Sequence, residues 1–281
     1  MNTKFNYEYF HSLIKSGEID AAFDYRASFT PEYIYKFYPL ADDPVDEQQK
    51  QLNQKRLYSL ENDMIWFASP EKQNDPYEFK GIYWDDNKLL QIGIPQQSIE
   101  YTKELLFKRI LLAAFTSNVS DNLSMWAHYA NNHHGYCVKY KVGNKRTIRN
   151  VIYSSNRTSM TNTFINFLQQ GFRGFKLGDV KLIEESQKHS AILQDKFFYK
   201  HTSWEYENEF RALYPFDGTE TGLNVSIAEL SLSVEEIYSG INCSEENKKE
   251  LSRIASKLKV PYKECSMSDV DFTVFRNSKK V

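Results

Sequence analysis

Apolar and polar positions alternate in two rhythms along this chain. Phe10, Leu13 and Ile14 recur at helical spacing within residues 5–16, and Gly17 follows as a stop. Ile34-Tyr35-Lys36-Phe37-Tyr38 is a β-prone run closed by Pro39. Segment 41–62 opens acidic, becomes rich in Gln and Lys, and carries Leu52, Leu57 and Leu60, which predicts a helix with a thin apolar stripe. Met64-Ile65-Trp66-Phe67-Ala68 is a second strand, stopped by Ser69-Pro70. Residues 98–110 read as a helix leading into a buried strand, Leu111 to Thr116. Leu123, Trp126, Ala127 and Ala130 share one face of a helix expected over Asp121–Asn131, with Gly135 at its exit. Tyr136 to Val142 alternates like a half-exposed strand, and Asn150 to Tyr153 is expected to return beside it after a turn at Gly143-Asn144. Residues 161–199 are mostly helical, with a break near Gly171 to Gly178. Phe216-Asp217-Gly218 turns into Leu223–Ile227 as a second hairpin. The tail reads strand (236–238), helix (245–258) and strand (260–264). About nine strands and five or six helices without regular βαβ alternation predict an α+β fold. The expected domain has a mixed or antiparallel core of short strands with flanking helices over residues 31–281. A helical extension covers residues 1–30.

The densest pattern is Trp204-Glu205-Tyr206-Glu207-Asn208-Glu209-Phe210-Arg211-Ala212-Leu213-Tyr214. As a strand it carries Trp204, Tyr206 and Phe210 on one face and Glu205, Glu207, Glu209 and Arg211 on the other. The alternation after Asn208 predicts a strand there, entered by a helical or irregular turn at Trp204. Glu209 and Arg211, about 7 Å apart on one strand face, can pair directly. Glu207 and Arg211 would be about 13 Å apart on a strand and meet only if the segment is helical. The charges suit either a solvated sheet face or a pocket wall. Trp204, Tyr206 and Phe210 read as the packing face, Glu205 as solvated edge, and Glu207, Glu209 and Arg211 as the catalytic candidates.

Composition narrows the function classes. The 19 Phe, 19 Tyr and 4 Trp suit an aromatic core or pockets that stack on flat ligands. A formal net charge of −2 gives no bulk attraction to nucleic acid. Cys137, Cys243 and Cys265 are isolated and show no metal-ligand spacing, so no metal is predicted. No apolar run is long enough for a signal peptide or a membrane span, and the expectation is a cytoplasmic protein with no membrane contact.

Asn74-Asp75-Pro76-Tyr77-Glu78 reads as a helix cap, with Asp75 as N-cap, Pro76 at N1 and Glu78 at N3; alternatively Asn74 and Asp75 orient a ligand. His128, His133 and His134 lack metal-ligand spacing, although His128 with Tyr129 suits a pocket wall. Lys196, Lys200 and His201 read as a helix terminus or as a phosphate contact. Gly-rich phosphate loops, nucleophile elbows and zinc-protease motifs are absent from the sequence.

Four pieces in order resemble a bacterial family, the domain of unknown function 2971. They are Ile34–Phe37; Ile65–Pro70 with Asn74–Glu78; Asp121–Tyr129 running to Gly135-Tyr136; and Lys200 with Trp204, Glu207, Glu209 and Arg211. The likeness runs from about residue 33 to 265. Phe37-Tyr38 and Gln73 depart from it, standing where Tyr-Arg and an aromatic are usual. More distantly, an early polar-aromatic strand, a strand ending in Ser and a late strand bearing Glu resemble DarT-like, toxin-associated ADP-ribosyltransferases. That resemblance implies NAD as substrate, a toxin or phage-defence role, and a nucleic-acid or protein target. Tyr35 or Lys36, then Ser69 with a nearby Tyr, then Glu207 or Glu209 fill the places it implies, the Glu stabilising the oxocarbenium charge; Asn74, Asp75, His128 and Tyr129 join them as candidate cofactor contacts. Two alternatives remain. One is a non-enzymatic antitoxin, immunity or sensor module. The other is a metal-dependent phosphodiesterase or nuclease using Asp75, Glu78, Glu207 and Glu209.

Overall fold

The computed structural model describes residues 5–42, 47–117, 122–218, 220–270 and 274–278. It is an α+β fold around a ten-stranded mixed sheet. Nine strands matter here: β1 (Tyr33–Tyr38), β2 (Met64–Ala68), β3 (Ile110–Thr116), β4 (Tyr136–Val142), β5 (Glu209–Pro215), β6 (Gly222–Ser226), β7 (Leu232–Ser239), β8 (Tyr262–Met267) and β9 (Val274–Ser278). Their order is β6-β2-β3-β1-β4-β7-β8-β9, and β5 lies between β3 and the short strand Arg149–Asn150. β7 and β8 run parallel; the other neighbours are antiparallel.

The sheet is split. β3 pairs with β5 continuously from Glu209–Thr116 to Pro215–Ile110. Toward β1 it keeps a single pair, Tyr35–Thr116, and toward β2 a single pair, Ala68–Leu112. β1 instead pairs along its whole length with β4. β1 and β2 therefore diverge from β3, and a wedge opens where ladder hydrogen bonds would otherwise run. Backbone carbonyls freed in this way need other partners. Lys36 bridges the wedge, its Nζ donating to the Ala114 carbonyl at 3.0 Å.

The helices are α1 (Tyr7–Ser16), α2 (Ile19–Ala27), α3 (Glu47–Glu61), α4 (Asp86–Gln91), α5 (Gln96–Lys108), α6 (Leu123–Tyr129), α7 (Thr161–Leu177), α8 (Val180–Asp195) and α9 (Glu245–Leu258). One core lies between the sheet and α3 and α9, where Leu60, Leu251, Ile254 and Ala255 meet Ile65, Val138 and Ile237. A second joins Phe10, Ile14 and Ala22 of α1 and α2 to Phe164, Ala191 and Leu193 of α7 and α8. On the opposite side of the sheet from α3, α6 seats Met125 and Trp126 on Phe37 and Cys137.

Several sequence expectations change here, each for a geometric reason. Asn150–Tyr153 does not return beside β4, because β1 and β7 occupy both edges of β4. Arg149–Asn150 joins β5 instead, and Ile152–Ser154 pairs with Tyr199–His201. Likewise β6 crosses to β2, because β5 is flanked by β3 and Arg149–Asn150. The expected break does occur, at the far end of its stretch: α7 runs through Gly171 and Gly174 and stops at Gly178, whose φ is 65°. At Gly174 a Cβ would come within 2.9 Å of the Ile183 backbone nitrogen, so this glycine permits close α7–α8 contact rather than breaking the helix. α6 is shorter than expected, and its buried face is Met125, Trp126 and Ala130, with Leu123 exposed on the first turn. Asp121 lies outside the described residues. No helix follows Asp75; its Oδ1 accepts from the Tyr77 backbone N–H at 2.8 Å and caps a turn.

Candidate functional site

The wedge is a cleft of about 690 Å³. β1 supplies Tyr35, Lys36, Phe37 and Tyr38 to its walls, β2 supplies Trp66 and Ala68, and β3 supplies Leu112, Ala114 and Phe115. Leu52, Lys55 and Arg56 of α3 and the turn from Lys72 to Asn74 form the rim. Met125 and Tyr129 of α6, with Lys200, Glu207 and Glu209, line the remainder. Strand alternation explains Trp66: Ile65 and Phe67 point into the core, so Trp66 faces out and stays 48 % exposed. Gly222, opposite Ala68 on the neighbouring strand, leaves room for it; a Cβ there would lie 2.2 Å from the indole ring.

The acids come together through a break in the backbone. Thr202–Glu207 forms a short 3₁₀ segment, Asn208 takes a left-handed conformation (φ 44°, ψ 51°), and β5 begins at Glu209. The expected turn-then-strand reading holds. The kink puts Glu207 and Glu209 on the same ammonium, with Lys200 Nζ at 2.5 Å and 2.9 Å from their carboxylates. Tyr129 Oη donates to Glu207 from the other side.

Glu209 pairs with Arg211 as its strand spacing predicts, with Nε donating at 2.6 Å. Arg211 is completely buried and engages Glu78 as well, while its Nη1 donates to the Phe197 carbonyl at 2.7 Å. A guanidinium held by two carboxylates and a carbonyl has its fork of donors matched. The solvated-face reading of this charged run therefore fails: Glu207, Glu209 and Arg211 are all buried. Trp204 and Tyr206 are partly exposed, so the packing face of the run begins at Phe210.

Charge counting explains the protonation pattern. Three carboxylates, Glu78, Glu207 and Glu209, share two cations, Lys200 and Arg211. Burial would raise Glu209, but Arg211 and Lys200 outweigh it and hold its carboxyl down to about 2. Burial raises Glu207 to about 7, helped by the charge on Glu209 and opposed by Lys200. Burial also raises Glu78, against the pull of Arg211. Lys36 is lowered to about 8 by burial, with Glu209 opposing. Two neighbouring acids are thus pushed in opposite directions, one fixed as an anion and one able to exchange a proton near pH 7.

Of the residues singled out from sequence, Tyr35, Lys36, Asn74, Tyr129, Glu207 and Glu209 line this cleft. Arg211 stands behind it and orients Glu209. Asp75 is buried, next in sequence to Asn74, and Ser69 precedes the short turn Pro70–Lys72 without a side-chain capping hydrogen bond. His128 is on the exposed side of α6, its ring 6.1 Å from that of Tyr206. Sequence reasoning passed over Trp66, Lys55 and Arg56, and it placed Lys200 outside the catalytic set and Glu78 in a cap or metal cluster. Trp66 carried no clear signal, since every residue of Met64–Ala68 is apolar and the pattern does not show which face is covered. Among the described residues, no three His, Cys, Asp or Glu side chains are grouped to hold a metal ion. None of the described helices is long and apolar enough to cross a membrane.

Residues 125–212 match the model of a family described as "Protein of unknown function (DUF2971)". The matched segment runs from α6 into β5 and contains Tyr129, Lys200, Glu207, Glu209 and Arg211. No curated protein and no solved structure matches the chain.

Proposed function

We propose that this DUF2971 protein binds NAD in the split-sheet cleft and transfers its ADP-ribosyl group to a nucleophile on nucleic acid or protein. The observation that carries this reading is the division of charge along the cleft. Its acids gather at Lys200, and its rim presents Lys55, Arg56 and Lys72, none of them ion-paired among the described residues. A pyrophosphate suits such a rim. Trp66 and Tyr35 offer flat surfaces on which a purine or nicotinamide ring can stack. The cationic nicotinamide ring suits the acidic end.

In the reaction the bond from ribose C1′ to the nicotinamide nitrogen breaks, and its electron pair leaves with neutral nicotinamide. Glu209, held ionised, stabilises the positive charge that grows on the ribose. The acceptor attacks C1′ and gives its proton to Glu207, whose affinity for a proton near pH 7 suits a general base. Arg211 acts as a positioning residue through Glu209.

The test is incubation of the purified chain with NAD labelled in its adenylate, alone and with total cellular nucleic acid or protein. Nicotinamide release is followed by chromatography. Release in the wild type and at least a hundredfold loss in Glu209→Gln, with both proteins folded, support the proposal. Folded wild type that binds no NAD and releases no nicotinamide overturns it. A second reading has its own support: Lys200, Arg211 and Tyr129 already engage both acids, as in a cleft that senses a nucleotide without consuming it. NAD binding without turnover against any acceptor fraction would select that reading.

A further inference from the structure

A second cavity lies where α2 meets the segment before Arg149–Asn150. It has a volume of about 110 Å³ and is lined by Phe23, Arg26, Ala27, Lys145, Arg146 and Arg149. Four of the six lining residues are cations, and none is an acid. Their charges are unequally matched. Arg26 is ion-paired with the buried Asp195. Arg146 is held by Asp24 at 2.6 Å and Asp20 at 3.1 Å. Lys145 and Arg149 have no ion pair among the described residues, which leaves two positive charges facing one small space.

Arg149 is the informative member. Its guanidinium lies over the rings of Phe23 (4.6 Å) and Phe198 (5.2 Å), so aromatic faces replace much of its water. Burial, and then the nearby charge of Arg26, lower its pKa to about 10, with Asp195 opposing. The position is fixed before any ligand arrives. Arg149 pairs in register with Arg211, Asn150 pairs with Phe210, and Arg26 donates to the Asn150 carbonyl at 2.6 Å. A preset, undercompensated guanidinium binds an anion without further ordering.

We propose that this cavity is a binding site for a phosphate group, independent of the reading of the cleft. Two unmatched cations fit the dianion, and the planar guanidinium of Arg149 can take two of its oxygens. The space suits one tetrahedral anion and is too small for a nucleoside. Lys145 and Arg146 are exposed at its edge, so the bound group is either free phosphate or the head of a monoester whose remainder points outward.

The experiment is calorimetric titration of the full chain with inorganic phosphate, and separately with methyl phosphate, at constant ionic strength and pH 7.5. Saturable binding by the wild type is expected, weakened at least tenfold in Lys145→Ala and abolished in Arg149→Met. The surface variant Lys249→Ala on α9, outside both cavities, should keep wild-type phosphate affinity. Equal binding of methyl phosphate identifies a monoester site, and binding of inorganic phosphate alone identifies a free-anion site. No saturable heat with the wild type overturns the proposal. So does unchanged affinity in Lys145→Ala, the exposed variant that decides the matter if Arg149→Met does not fold. Loss of binding in the cleft-rim variant Lys55→Ala alone would move the anion to the cleft and also overturn it.

Discussion

Glu207→Gln keeps the size of the side chain and removes its ionisation. In the fold the Glu207 carboxyl is raised from 4.5 to about 7 by burial and by Glu209. A raised folded value means that the native state holds the proton more tightly than the unfolded chain does. The stabilisation from that proton is complete below pH 4.5 and is lost as pH rises through about 7. At 1.36 kcal/mol per pH unit, this displacement corresponds to about 3 kcal/mol. Wild type should therefore lose about 3 kcal/mol relative to Glu207→Gln between pH 4 and pH 8. Urea unfolding of both proteins at half-unit steps of pH gives the difference, because titrating groups remote from Glu207 are common to both and cancel, while Glu209, held down to about 2, stays ionised across this range. A difference that stays flat with pH would refute the argument. A difference of opposite slope would mean that Lys200 dominates burial and holds Glu207 ionised.

Arg211→Met removes a buried charge shared by Glu78 and Glu209 and leaves both acids facing each other; a loss of about 3–5 kcal/mol is expected in chemical denaturation. Arg211→Lys should recover little of it, because an ammonium cannot reproduce the two-sided fork. Trp204→Ala should cost about 1–2 kcal/mol, below the 3–5 of a core aromatic, since Trp204 is partly exposed and chiefly covers Lys200, whose Nζ is 4.8 Å from its ring. Its thermal midpoint relative to wild type checks this. If NAD is turned over, kcat/KM should rise with pH through about 7 as Glu207 ionises and fall above about 8 as Lys36 loses its charge. A profile that is flat between pH 6 and 9 would remove both groups from the reaction.

Local elements were largely legible in the sequence because they depend on near neighbours. Gly17 does stop α1, Pro39 follows the end of β1, and the turn at Asn208 with the Glu209–Arg211 pair follows from strand spacing. Pairing was not legible. The two expected hairpins failed because an edge of a strand can be filled from far along the chain, and no local pattern shows that β4 is already flanked by β1 and β7. Burial of charge was equally hidden. Glu207, Glu209 and Arg211 read as a polar face until Glu78 and Lys200, distant in sequence or assigned elsewhere, are seen to close around them. Trp204 erred in the other direction, since its aromatic bulk suggests core and its place on a 3₁₀ turn leaves it at the surface.

The cleft is assembled from two stretches of chain with different duties. The Lys200 acid cluster, short of Glu78, comes from the segment that matches the family, whereas the rim and the stacking surface come from residues 35 to 74. No ion pair in that cluster depends on α3 or β2. If the cleft works as proposed, the acids and the ligand-facing rim are separable, and Lys55, Arg56 and Trp66 can be replaced while the buried charges keep their partners.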